Sequence, residues 1–116
     1  MKTILIDPIK KSVEYIDYDG DYQLIYKIIG CETFSCPIMF DDEDALYIDD
    51  EGLFKDQKGG VMMGDFPYAL LGKMIIIGTD NEGASRDVQN SLEYYINQIT
   101  WLNEDQVETY KNKLGY

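Results

Sequence analysis

Lys73-Met74-Ile75-Ile76-Ile77-Gly78-Thr79 is the most strand-like stretch of the chain. Four consecutive apolar side chains, three of them β-branched, bounded by Lys-Gly on one side and Thr-Asp on the other, predict a strand covered on both faces. A strand covered on both faces must be central, so the chain is expected to build a sheet around it. Working outward, Thr79-Asp80-Asn81-Glu82-Gly83 turns the chain on one side. On the other, Gln57 to Pro67 carries Gly59, Gly60, Gly64 and Pro67 and is expected as a long flexible loop. Before it, Ala45 to Ile48 and Leu53 to Lys55 flank Asp49-Asp50-Glu51-Gly52, a hairpin signature with Gly52 expected at positive φ. Thr33 to Phe40 reads as an edge strand, because Pro37 cannot donate to a ladder on both sides. Thr3 to Ile6 and the alternating stretch around Val13 and Tyr15 form a first hairpin about Asp7-Pro8. Leu24, Ile25, Ile28 and Ile29 lie at helical spacing, with Gly30 in the stop position. Ser91 to Leu102 and Asn103 to Leu114 read as two more helices, the second opened by an Asn103/Gln106 capping box. The resulting order is β-β-α-β-β-β-β-α-α. It predicts an α+β domain spanning residues 1–116, a mainly antiparallel sheet with helices packed on one face.

Composition bounds what such a domain can do. The 116 residues hold 22 Asp and Glu against 10 Lys and Arg, a formal net charge of −12, and no His. A hydrophobic fraction of 45% supplies a core, so the charge does not imply disorder. Long-range repulsion argues against direct nucleic-acid binding and against anionic membrane surfaces. Without His, the usual general base near neutral pH and the commonest metal ligand are missing. Nucleophilic triads cannot be assembled, and Gly59-Gly60-Val61-Met62-Met63-Gly64 lacks the Lys-Ser/Thr ending of a phosphate cradle. No cofactor and no enzymatic activity are expected. The two cysteines, Cys31 and Cys36, read as free thiols, since a zinc site needs further N or S ligands. The apolar run at Thr3 to Ile6 is too short for a signal peptide or a membrane span, which places the chain in the cytoplasm.

Three acidic turns invite a calcium reading: Asp17-Tyr18-Asp19-Gly20, Asp49-Asp50-Glu51-Gly52 and Asp80-Asn81-Glu82-Gly83. An EF-hand loop needs an oxygen ligand five residues before its Gly, where this chain has Tyr15, Tyr47 and Gly78. Asp and Gly as turn residues explain the pattern, so no metal is expected. The densest charge runs through Asp41, Asp42, Glu43, Asp44, Asp49, Asp50 and Glu51 without a single base. Residues 1–56 carry −9 of the net charge and residues 57–116 only −3. Such asymmetry predicts a negative face for a basic partner, against the plainer reading of a solvated hairpin. Ten tyrosines suit binding surfaces, and Tyr94, Tyr95 and Trp101 read as interface or, preferably, as core. Met62, Met63, Phe66 and Tyr68 on the Gly-rich loop form a lid or an adaptable contact surface. A homo-oligomer is compatible with this composition.

Several blocks together resemble a family of small uncharacterised proteins, a domain of unknown function found in phages, plasmids and some bacterial genomes. The blocks are Ile4-Leu5-Ile6-Asp7-Pro8, Ile25 to Cys31, Ala45-Leu46-Tyr47-Ile48-Asp49-Asp50-Glu51-Gly52-Leu53, Leu71 to Gly78 and Asp80 to Gly83. The likeness covers residues 1 to about 83 and brings no catalytic residues with it. It implies the setting of mobile-element accessory genes, many of which interfere with host defence. Two functions follow as expectations. In the first, the acidic face from Asp41 to Glu51 occupies a basic site on a host protein, in the host cytoplasm. In the second, Tyr stacking, the Gly-rich loop and Lys73 or Arg86 sequester a small nucleotide.

Overall fold

A computed structural model describes residues 1–115. In chain order the elements are β1 (Lys2–Asp7), β2 (Ser12–Asp17), α1 (Gln23–Ile29), β3 (Phe34–Met39) and β4 (Asp44–Asp49). A 3-10 turn (Gly52–Phe54) follows, then β5 (Gly60–Met63), β6 (Leu70–Leu71), β7 (Met74–Thr79) and β8 (Ser85–Arg86). The chain closes with α2 (Leu92–Ile96), β9 (Ile99–Leu102) and α3 (Glu104–Lys113). The larger sheet runs β2-β1-β7-β4-β3, with β8 extending it against the end of β7. Every pairing in it is antiparallel. A smaller antiparallel sheet has the order β6-β5-β9. The class is the expected α+β, with β7 at the centre.

The period-2 alternation of β7 divides its side chains between two cores. Met74 and Ile76 join Ile4, Ile6 and Leu46 and face Val61, Met63 and Leu70 of the smaller sheet, with Tyr95 of α2. Ile75 and Ile77 face the other way, onto Ile25 and Ile29 of α1 and onto Tyr18. All four β7 side chains are at most 3% exposed, and each fully buried one contributes about 1.5–3 kcal/mol. The helices therefore divide between the faces, with the smaller sheet completing the layer that carries α2. Gly30 takes the left-handed conformation (φ 74°) and stops α1, its N–H donating to the Tyr26 carbonyl.

A bulge in β3 lets one strand serve both cores. Ser35 pairs with Ile48 and Ile38 with Leu46, so three steps on β3 match two on β4 across Cys36-Pro37. Phe34 consequently packs with the α1 side and Ile38 with the opposite side.

Three local expectations are corrected. Leu53 to Lys55 does not form a strand and Asp49 to Gly52 does not close a hairpin. Both edges of β4 are already taken, by β3 and β7, so the chain leaves through a 3-10 turn. Gly52 is buried and lies outside the left-handed region. Second, the expected Gln57–Pro67 loop contains β5. Gly60 is required there by close approach, since a Cβ would lie 2.7 Å from the Leu70 carbonyl oxygen and 2.9 Å from Leu71 Cδ2. Third, the helix expected over Ser91–Leu102 ends at Ile96, and Ile99, Thr100 and Trp101 pair with Met63, Met62 and Val61. Their β-branched and aromatic side chains fit a pleated surface better than another helical turn. The capping box forms as expected: Gln106 N–H donates to Asn103 Oδ1 and Asn103 N–H to Gln106 Oε1, both at 2.9 Å.

Candidate functional site

The seven acids of the 41–51 segment do not make one face. Asp44 is fully buried and Asp49 is 4% exposed, which corrects the expectation that both are free to meet a partner. Asp44 accepts from the backbone N–H of Gln89 (2.9 and 3.1 Å) and of Asn90 (3.1 Å), and from Tyr95 Oη at 2.5 Å. Asn90 Nδ2 reaches Tyr95 Oη at 3.2 Å. A buried carboxylate without a cation is tolerable only with such a set of donors. Burial, and then the bond to Asp44, raise the phenol pKa of Tyr95 far above its ordinary value. Asp49 meets Lys55 Nζ at 2.6 Å and accepts from Glu51 N–H at 2.9 Å. That bond raises the pKa of the Lys55 ammonium.

The exposed remainder falls into two groups at opposite ends of β4. Asp41, Asp42 and Glu43 stand at one end, Asp50 and Glu51 at the other, roughly 17 Å apart at 3.3 Å per residue. The first group has neighbours the sequence does not announce. Asp44 pairs with Gly78 and Thr79 N–H donates to the Glu43 carbonyl at 3.0 Å, which brings the β7–β8 turn alongside. Asn81, Arg86 and Gln89 then line a shallow groove of about 250 Å³ with the three acids. Arg86 Nε is buried there with no hydrogen-bond partner among the described residues.

A second groove, of about 350 Å³, meets the first at Asp41. One wall is the end of β3, with Met39 and Phe40; the other is Met63, Asp65 and Phe66 after β5; Tyr94 and Gln98 close it. An edge-to-face series supports its floor, with Phe40 5.0 Å and Tyr94 5.1 Å from the Tyr95 ring. Met39 and Tyr94 are 56% and 43% exposed. Asp65 and Met39 had no place in the sequence reading. The bulge at Pro37 sets Ile38 on the groove side and Met39, which pairs with Ala45 opposite Ile77, on the α1 side, so Met39 borders the groove from the strand end.

The set weighed for a nucleotide is dispersed. Met62 is half-buried, Met63 is buried in the core, and Phe66 is half-buried, 5.7 Å from the exposed Tyr68 ring. Lys73 precedes β7 whereas Arg86 pairs with Gly78 near its far end, roughly 17 Å along the strand. The acidic turns are stitched locally. Asp80 Oδ1 accepts from Glu82 N–H (2.8 Å) and Ala84 N–H (2.9 Å), and Asp19 Oδ1 from Asp21 N–H (2.8 Å). Among the described residues, no three ligating side chains gather as a metal site would require. Cys31 and Cys36 are free thiols, and desolvation raises the pKa of Cys31. Among the described residues, no helix is long and apolar enough to cross a membrane.

No solved structure matches the chain. It is 34% identical over 79 residues to an uncharacterised protein, y4iR, of Sinorhizobium fredii (strain NBRC 101917 / NGR234). The match covers 66% of this chain and 48% of that protein, so the chain spans about half the length of the curated relative it matches. Residues 1–100 match the family described as a domain of unknown function (DUF3846), which extends the likeness past the acidic turns into β9, and the chain belongs to that family.

Proposed function

We propose that this is a non-enzymatic binding protein that recognises a basic site on another protein through the acidic end of its larger sheet. What supports the reading is the cluster of Asp41, Asp42 and Glu43, exposed at a turn and joined at Asp41 to a groove that carries Phe40, Phe66 and Tyr94 between polar groups. An apolar centre with a charged rim is the usual anatomy of a protein interface. Carboxylates at the rim speed encounter with a basic partner and weaken with salt. Asp44 and Asp49 are excluded from this role, and Asp50 and Glu51 lie too far away to share one small epitope. In the mobile-element setting that the family resemblance implies, the partner would be a cytoplasmic host protein, and binding would antagonise it.

The test is capture from bacterial lysate by immobilised protein, followed by identification of bound proteins and metabolites. Wild type should retain a basic protein that is released by about 0.5 M salt, where the Debye length falls to a few ångströms. The triple variant Asp41→Asn, Asp42→Asn, Glu43→Gln should not retain it. Capture indifferent to both salt and charge would reject the reading. A nucleotide that raises Tm by several degrees would favour sequestration instead.

A further inference from the structure

We infer that the groove between Phe40, Met63, Phe66 and Tyr94 is an anchor site for a basic polypeptide segment, which inserts an apolar side chain there and sets Lys or Arg against Asp41 and Asp65. The inference rests on the acidic-end reading above and names the kind of segment recognised. The two carboxylates lie on opposite walls: Asp41 follows β3, and Asp65 follows β5. Both are exposed, and neither forms an ion pair among the described residues. An apolar floor between two unpaired carboxylates repels nucleotides and other anions. It matches a segment whose apolar residue is flanked by cations, the pattern of a basic amphipathic helix lying in a groove.

The floor is preorganised. Tyr95, behind it, is fixed by Asp44 and Asn90, and the Phe40 and Tyr94 rings pack edge-on against Tyr95. A floor already ordered loses little side-chain freedom when a partner arrives. A second copy of this chain is the weaker candidate, because it would bring another −12 of charge against the same acidic end.

The test uses two labelled peptides of roughly 14 residues, about four helical turns. One has leucines along one helical face and lysines elsewhere; the other has every leucine replaced by serine, at equal charge. Fluorescence anisotropy should show the leucine peptide binding at least about tenfold tighter. The double variant Phe66→Ser, Tyr94→Ser removes two rings that line the groove. It should weaken leucine-peptide binding about fivefold or more, with the salt slope unchanged. Equal binding of the two peptides, no effect of the double variant, or no binding at about 100 μM (weaker than about −5.5 kcal/mol) would overturn the inference. So would a dimer seen by sedimentation and abolished by the same two substitutions, which would assign the groove to a second copy. The two readings fail separately. If both peptides bind equally and the Asp41/Asp42/Glu43 triple variant weakens both, the acidic end stands and the groove falls. If leucine-peptide binding ignores that triple variant but falls in the double variant, the apolar anchor stands while the acidic end and the Asp41 contact both fall.

Discussion

Asp44 and Asp41 are three residues apart with the same side chain and opposite roles. Asp44 is enclosed by donors from Gln89, Asn90 and Tyr95. Asp44→Asn turns one acceptor oxygen into an NH2 group facing those donors and should cost on the order of 3 kcal/mol in denaturant unfolding. Asp41→Asn, in water, should change stability by no more than about 0.5 kcal/mol. Changing both together therefore cannot separate charge from folding. Glu43 occupies the left-handed region (φ 63°) at the β3–β4 turn, where its N–H donates to the Phe40 carbonyl. Glu43→Gly should relieve that conformation and raise stability by up to about 1 kcal/mol, read from the shift in denaturant midpoint. The Tyr95 phenol stays protonated in the fold at pH values where the unfolded chain releases it, near 10. Its contribution is thus complete below that pH and is lost as pH rises, by up to about 1.4 kcal/mol per pH unit. Tm measured from pH 8 to above 10 should fall in the upper range, and Tyr95→Phe should flatten the fall.

At the scale of elements, Gly60 and Gly78 are fixed by proximity. An added Cβ at Gly78 would overlap the Asp87 carbonyl, and one at Gly60 the Leu70 carbonyl. Gly60→Ala should lower Tm markedly, by on the order of 2 kcal/mol in stability, because backbone rather than a mobile side chain must give way. The segments with strong local signals were legible in the sequence: β7 from its isoleucines, α1 from its spacing and Gly30, α3 from Asn103 and Gln106. The smaller sheet was not. Its strands are two to four residues long, too short for periodicity to register, and two glycines disguise β5 as a loop. Asp49 to Gly52 read as a hairpin because local turn chemistry cannot reveal that β4 already has neighbours on both edges. For the site, the sequence located the acidic residues but not their burial. Asp44 and Asp42 have the same composition around them, and only the return of residues 89 and 90 distinguishes them.

For the whole molecule, one core cluster joins both sheets, so they should unfold together. Trp101, the one tryptophan of the chain, sits in β9 and packs against that cluster. Its fluorescence should change at the same denaturant concentration as the far-UV circular dichroism, which is dominated by the larger sheet. Two separated transitions would mean that the smaller sheet folds apart. The charge of −12 acts on the same whole. Raising salt should raise Tm by screening self-repulsion, with the gain reduced in the Asp41/Asp42/Glu43 triple variant.

The bulge at Cys36-Pro37 has a further consequence, for company rather than for folding. A strand at the border of a sheet offers unpaired backbone groups to any passing chain, and an irregular ladder with a proline makes a poor template. β3 is guarded in this way; β2, at the opposite border, is not. Its six residues keep an uninterrupted register with β1 and contain no proline. The protection left to β2 is charge, from Glu14 and Asp17 on the strand and from the net −12 of the molecule, and it weakens toward pH 4.1, where the net charge vanishes. Acidification toward that pH should therefore drive strand-on-strand aggregation, seen as turbidity that added neutral-pH buffer reverses.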